Sequence, residues 1–311
     1  MEEKSKLTGM ILVILGASFW GVGGTVAQRL FQEDGIPVEW LVSTRLIVAG
    51  ILLLILAMFF GKRREVFWVW KDKKSVFQLI IFGIFGMLAV QYTYMASISL
   101  GNAAVATLLQ YLAPVFIILF LVLTRVNNLR KKDFIAVSLA LSGTFLLLTD
   151  GSIGSLAVPF SAVVWGVLSG LALAFYTLYA GGLLKKWGSL NIVGWAMIIG
   201  GSSLGIFHPP WRVEMAAWTM ETVFFLIFVI IFGTMLAFWF YLESLKYLLP
   251  QETSLLGSVE PLAAIVTAVL WLQIPYGAFQ MVGTALILGM VVYLSLAKEK
   301  VTAYVNKPVP D

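Results

Sequence analysis

Apolar residues along this chain run in blocks far longer than a soluble helix or strand needs, and polar residues gather in short clusters between them. A helix needs about 20 mostly apolar residues to cross a hydrocarbon core of ~30 Å, because each residue adds ~1.5 Å. Ten blocks come close to that length or exceed it: 8–30, 38–60, 76–98, 102–124 and 134–150, then 160–183, 190–207, 222–245, 252–273 and 278–297. The fifth and seventh are the shortest. Turn residues and helix breakers separate them, among them Gly35-Ile36-Pro37, Gly61-Lys62, Gly101-Asn102, Asn127-Asn128, Asp150-Gly151, Pro209-Pro210, Pro250 and Pro275. The pattern predicts an all-α integral membrane protein with ten transmembrane helices.

Composition agrees with that reading. Sixty per cent of the 311 residues are apolar and 12% are charged, about half the charge that a water-soluble domain carries. The first apolar run is too long for a signal-peptide core and lacks a small-residue cleavage site before the next run. With no cysteine and one histidine, thiolate chemistry is excluded, and neither a zinc centre nor a cofactor is expected. The histidine, His208, sits in the loop His208-Pro209-Pro210-Trp211 and reads as solvated.

The net charge of +5 does not point to nucleic acid, because the basic residues alternate between loops. With the N-terminus inside, the inner segments hold Lys4, Lys6, Lys62, Arg63, Arg64, Lys71, Lys73, Lys74, Arg125, Arg130, Lys131, Lys132, Lys185, Lys186, Lys246, Lys298, Lys300 and Lys307. The outer segments hold only Arg29 and Arg212, and Arg45 lies inside a span. Cytoplasmic loops are enriched in Lys and Arg, so both termini are expected in the cytoplasm, with 298–311 as a cytoplasmic tail. The expected location is the inner, or plasma, membrane.

The chain also repeats. A shift of 147 positions lays residues 94–123 on 241–270 without a gap and matches Tyr94 with Tyr241, Ser97 with Ser244, Leu108 with Leu255, Leu109 with Leu256 and Pro114 with Pro261. Ile118, Val122 and Leu123 match Ile265, Val269 and Leu270. The matched prolines inside spans are the informative part. Five spans per half is an odd number, so two such halves lie in opposite orientations. The expectation is two inverted five-helix repeats, residues 8–150 and 160–297, with a substrate site near the midplane between them.

Several segments carry a family resemblance. These are Phe19-Trp20-Gly21 in the first span, Arg45-Leu46-Ile47-Val48-Ala49-Gly50 in the second, and the Ala-rich stretch from Asn102 to Pro114 in the fourth. Ser258-Val259-Glu260-Pro261-Leu262 in the ninth and Gly283-Thr284-Ala285-Leu286-Ile287-Leu288-Gly289 in the tenth complete the set. Together they resemble the EamA family of the drug/metabolite transporter superfamily over nearly the whole chain. The resemblance implies a ten-helix fold of two inverted repeats and the export, or sometimes uptake, of amino acids, related metabolites or drugs. It also implies a central cavity lined by spans one to four and six to nine. The family often shows Gly-Glu just after the fourth and ninth spans, where this chain has Thr124-Arg125 and Leu272-Gln273; a gate or coupling role for those carboxylates does not carry over.

Polar groups inside spans are costly and mark the candidates. Glu260 lies about nine residues, or ~13 Å, into its helix. On a helical wheel it shares a face with Thr253, Gly257, Ala264 and Thr267. Pro261 follows, removing a backbone donor and loosening the helix, so Pro114 and Pro261 are expected pivots. Glu260 reads as a counter-charge for a cationic substrate group, as a proton carrier, or as a structural glutamate paired with Arg45 or another helix. Arg45, ~10 Å from the outer end of its span, suits a substrate carboxylate or a structural pair. Gln91 and Gln110 lie near mid-membrane, where each amide needs a partner on another helix or a ligand. Trp20 and Tyr176, at roughly corresponding places in the two halves, are candidate aromatic walls able to hold an ammonium. Glu243 and Lys246 read as a local i, i+3 pair.

The reading that results is a transporter, secondary active or facilitative, that exports a small organic substrate across the bilayer, with protons as a candidate coupling ion. Two alternatives stay open. An intramembrane enzyme needs a nucleophile and base, paired acids or metal ligands at one depth, and no such set stands out. A scaffold without a substrate packs Trp20, Gln91, Gln110 and Glu260 tightly.

The orientation is testable because the chain has no cysteine. In intact cells an impermeant maleimide should label Ser152→Cys and leave Asp72→Cys protected. The reverse pattern would overturn the assignment.

Overall fold

The computed structural model describes residues 2–60, 65–126, 128, 130–152, 154–209, 211 and 218–296. Lys62, Arg63, Arg64, Arg212 and the tail 298–311 lie outside the described residues. Ten helices are long and apolar enough to cross a membrane. They are α1 (Glu2–Gln32), α2 (Val38–Phe60), α3 (Lys73–Leu100), α4 (Ala103–Gln110 with Ala113–Leu123) and α5 (Lys131–Thr149). The second set is α6 (Phe160–Trp187), α7 (Ser189–Phe207), α8 (Met220–Ser244), α9 (Pro250–Gly257 with Val259–Leu270) and α10 (Ala278–Leu296). All ten expected blocks are helical; α3 starts three residues early and α6 runs four residues on. A short 3-10 helix, Glu65–Lys71, leads into α3.

Large apolar side chains such as Phe85, Phe134, Phe160 and Phe224 stay exposed on the outer faces, where a bilayer is the matching solvent. Lipid tails are as apolar as leucine, so helices gain little from hydrophobic burial and associate instead through small residues that let backbones approach. The seams here are built that way. A Cβ on Gly50 of α2 would come within 2.8 Å of Gly194 O on α7, and one on Gly143 of α5 within 2.8 Å of Gly283 O on α10.

The packing has a two-part pattern. α2 packs on α7 and α5 on α10; α1 packs on α8 and α9, while α6 packs on α3 and α4. Exchanging the first five helices for the last five leaves this set of contacts unchanged. Local irregularities recur with it. α3 is π-helical over Phe82–Leu88 and α8 over Ile231–Leu236, and Phe85-Gly86 lies 147 positions before Phe232-Gly233.

Two contacts tie ends predicted to be cytoplasmic. Lys6 of α1 pairs with Glu252 of α9 at 2.6 Å. Lys186, near the end of α6, pairs with Asp72 ahead of α3, and Ser75 Oγ donates to Asp72 at 2.7 Å while accepting from Trp187 Nε1 at 2.8 Å. The bonds from Lys186 and Ser75 hold the Asp72 carboxyl at about 2, so this clasp keeps its charge through the physiological range.

Arg125 after α4 and Gln273 after α9 both take the left-handed conformation, at φ 57° and 54°. That conformation costs a side-chain-bearing residue roughly 1–2 kcal/mol, and glycine almost nothing. Arg125→Gly should therefore stabilise the protein by about 0.5–1 kcal/mol, after allowance for the freer unfolded chain. Arg125→Val should destabilise it. Equilibrium unfolding in detergent reads both, and equal effects of the two substitutions would contradict the strain.

Candidate functional site

α4 and α9 are interrupted at matching places. Proline has no N–H, and its ring crowds the carbonyl four residues earlier. Pro114 therefore deprives Gln110 O of its helical partner, and Pro261 does the same to Gly257 O. The first pieces of α4 and α9 end at those two residues. Tyr111 and Ser258, the next residues, share one backbone conformation, with φ −67° and ψ 0°, and stand 147 positions apart. The sequence placed the loosening at the prolines themselves. It lies a turn earlier, and the prolines sit in the opening turns of the second pieces. Across the break at Ser258, Gly257 and Glu260 both meet Tyr111, through the Gly257 carbonyl and the Glu260 carboxyl.

The two breaks touch. Tyr111 donates its hydroxyl to Gly257 O at 2.9 Å, the carbonyl that Pro261 leaves free, and the same hydroxyl lies 3.3 Å from Glu260 Oε2. α1 closes on this point through glycine: a Cβ on Gly21 would fall 2.3 Å from Glu260 O. One turn on, Thr25 Oγ1 donates to Ala264 O at 3.3 Å and lies 2.8 Å from Thr267 Oγ1. Helices α1, α4 and α9 thus meet at Glu260, α1 against its backbone carbonyl and α4 against its carboxyl.

Glu260, Tyr111, Tyr176 and Tyr241 lie among the helices, and each is only partly buried. Tyr241 and Tyr94, a matched pair in the repeat, both lie within electrostatic reach of Glu260. Tyr94 is buried, with its hydroxyl 2.8 Å from Thr107 Oγ1, and it is also within electrostatic reach of Arg45.

The residues singled out in the sequence divide into two groups. Trp20 packs on Phe238 and Tyr241, with ring centroids 4.9 and 5.1 Å away. Tyr176 packs on Phe82 at 4.8 Å and lies within reach of Tyr241, so the two aromatic candidates share Tyr241 as a neighbour and do not stack on each other. Arg45 is 2% exposed; its Nη2 donates to Gln91 Oε1, and its Nε has no partner. Among the described residues no ion pair joins Arg45 to Glu260; of the structural alternatives, the contact with another helix is the one present, through Tyr111. Gln110 is buried beside the break and makes no side-chain hydrogen bond among the described residues. Glu243 and Lys246 form the local pair at 2.8 Å. The tyrosine hydroxyls of Tyr94, Tyr111 and Tyr241 were not foreseen as site groups. The available signals were the matched pair Tyr94 and Tyr241, and the place of Tyr111 beside the carbonyl that Pro114 releases.

A carboxylate among aromatic rings can hold a cation, and with a hydroxyl in reach it can take up and release a proton.

Comparison with known proteins adds to this geometry. The model of the EamA-like transporter family matches the chain twice, over residues 7–149 and 160–296. An uncharacterized inner membrane transporter, YicL of Salmonella typhimurium, is 33% identical over 93% of this chain and 95% of its own. Protein PecM of Dickeya dadantii is 26% identical over 86% of each chain. A crystal structure with 17% identity superposes with a TM-score of 0.63, covering 94% of this chain and 97% of its own, a likeness of fold.

The bond at the breaks is measurable. Tyr111→Phe leaves Gly257 O without its donor and should cost about 1–3 kcal/mol, the penalty for an orphaned buried acceptor. Tyr176→Phe removes a hydroxyl that makes no hydrogen bond among the described residues and should cost less than ~0.5 kcal/mol. Thermal unfolding of the two variants in detergent compares them, and equal losses would contradict the assignment.

Proposed function

This chain belongs to the EamA-like transporter family, and from that premise we propose how it works as a membrane transporter. The two five-helix halves, residues 8–150 and 160–297, lie in opposite orientations and alternate access to a central site at the crossing of α4 and α9. The solute is a small organic metabolite of the amino-acid class or a related compound, and it moves outward. Both termini face the cytoplasm.

The observation that carries this reading is Glu260, a carboxylate with accessible surface deep in the bundle, held at the point where two proline-broken helices meet. A charge there is expensive unless it meets a partner. No cation of the described chain is paired with it, so its partner is a cationic group of the solute or a proton. Trp20, Tyr176 and Tyr241 supply aromatic surface near it. Gln91, Gln110 and Arg45 supply further polar groups, and Arg45 is available to an anionic group once the site opens. Pro114 and Pro261, by uncoupling the two pieces of α4 and α9, let each half flex against the other. The exchange of halves that leaves the pairs α2–α7, α5–α10, α1–α8, α1–α9, α3–α6 and α4–α6 unchanged as a set also favours this mechanism.

Glu260→Gln keeps the shape and removes the charge. A thermal-shift screen of amino acids, amines and nucleobases identifies a solute, and flux is then measured in liposomes. If Glu260 carries a proton, the variant loses the pH dependence of flux. If it holds a cation, affinity falls by on the order of tenfold, ~1.4 kcal/mol. Unchanged flux, affinity and pH profile in Glu260→Gln would show that Glu260 is structural.

A further inference from the structure

The two lateral seams of the bundle differ. Between α1 and α8 the backbones touch: a Cβ on Gly23 would come 2.8 Å from Gly233 Cα, and Phe19 packs edge-on against Phe232 at 5.4 Å. The matching seam between α3 and α6 is also packed, through Phe82 on Tyr176, but it leaves a groove on its outer side. Phe85, which stands 147 positions before Phe232, is 63% exposed. Beside it lies a groove of about 480 Å³ lined by Ile81, Phe85, Ala89 and Thr93 of α3 and by residues of α6 from Leu168 to Phe175. That volume falls within the range of small-molecule sites, roughly 300–1,000 Å³. The lining is apolar throughout, and the Thr93 hydroxyl is spent on Ala89 O at 2.7 Å.

One ring pair lies directly behind this groove. Phe82 lies one residue inward of Ile81, fully buried, and packs on Tyr176, the residue after Phe175 of the groove wall. Tyr176 in turn lies within reach of Tyr241 at the Glu260 cluster. Phe82 opens the π-helical turn Phe82–Leu88, and its ring lies against Gly86, where an added Cβ would come 2.8 Å from the ring. A π turn holds one residue more than an α turn and often marks functional sites. Here it supplies slack in the backbone that carries the Phe82 ring.

We infer that the α3–α6 groove is a lateral portal from the bilayer to the Glu260 site, gated by Phe82 and Tyr176, for amines with an apolar body. The groove takes the apolar body, and Glu260 with its tyrosines takes the protonated nitrogen, an electrostatic match between the two ends of one path. This inference rests on the proposed central role of Glu260 and narrows the solute class. The closed α1–α8 seam leaves the path on one flank.

The test labels the single cysteine of Gln110→Cys, beside the break, in liposomes. N-pyrenylmaleimide partitions into the bilayer; a sulfonated maleimide stays in water. Ala172→Phe fills the groove from its lipid side and should slow the pyrenyl reagent about tenfold while leaving the sulfonated one unchanged. Phe82→Ala should speed the pyrenyl reagent alone. Decylamine should protect the cysteine, decanol should not, and Glu260→Gln should abolish the protection. Groove variants that change both reagents equally, or neither, overturn the portal. Equal protection by decylamine and decanol overturns the amine assignment. A flux defect in Glu260→Gln beside unaltered labelling of the groove variants would sink the portal and leave the transport function standing.

Discussion

A backbone carbonyl in a bilayer has no water to bond, so every interruption of a helix must be answered from inside the protein. Pro114 and Pro261 each release one carbonyl, and the fold depends on how those two are handled. Tyr111, at the break of α4, donates to the carbonyl released in α9. The crossing of α4 and α9 is therefore a bonded joint and not a chance contact. It needs a close third helix, which Gly21 of α1 provides by omitting a side chain opposite Glu260 O. The answer is not symmetric. Ser258, the counterpart of Tyr111, turns its hydroxyl back to Leu255 O at 2.6 Å, so the joint is made from one side, and the carboxylate is on the other.

That asymmetry separates the charges. Glu260 sits at the joint, bonded by a neutral hydroxyl, while Arg45 is satisfied in part by Gln91 and keeps an unbonded Nε. A protein that needed these charges only for stability would gain most by pairing them, since opposite charges strengthen each other in a low dielectric. Tyr94 stands within reach of both, and the two remain apart. Leaving each charge incompletely matched is costly at rest and useful for a site that exchanges partners.

Much of the fold was legible in the chain. Apolar run length located all ten helices, because crossing a bilayer fixes a minimum length and loops must be polar. The shift of 147 that matches Pro114 with Pro261 also matches Phe85-Gly86 with Phe232-Gly233 in the two π turns, whose irregularity no hydropathy pattern reveals. The site was legible only in part. Glu260 stood out because a carboxylate in an apolar run has few innocent explanations. The role of Tyr111 did not, since a tyrosine among apolar residues reads as packing until the helix it faces is known. The Arg45 partner depended on which helices meet, and α2 presents Arg45 to Gln91 of α3, a neighbour the linear sequence does not specify.

The central claim is that Glu260 faces a space that opens to each side of the membrane in turn. Glu260→Cys in this cysteine-free chain, reconstituted in one orientation, tests it directly with an impermeant maleimide added outside or trapped inside the vesicle. The account predicts reaction from both sides. A cysteine at position 260 that reacts from one side only, or from neither, would contradict it.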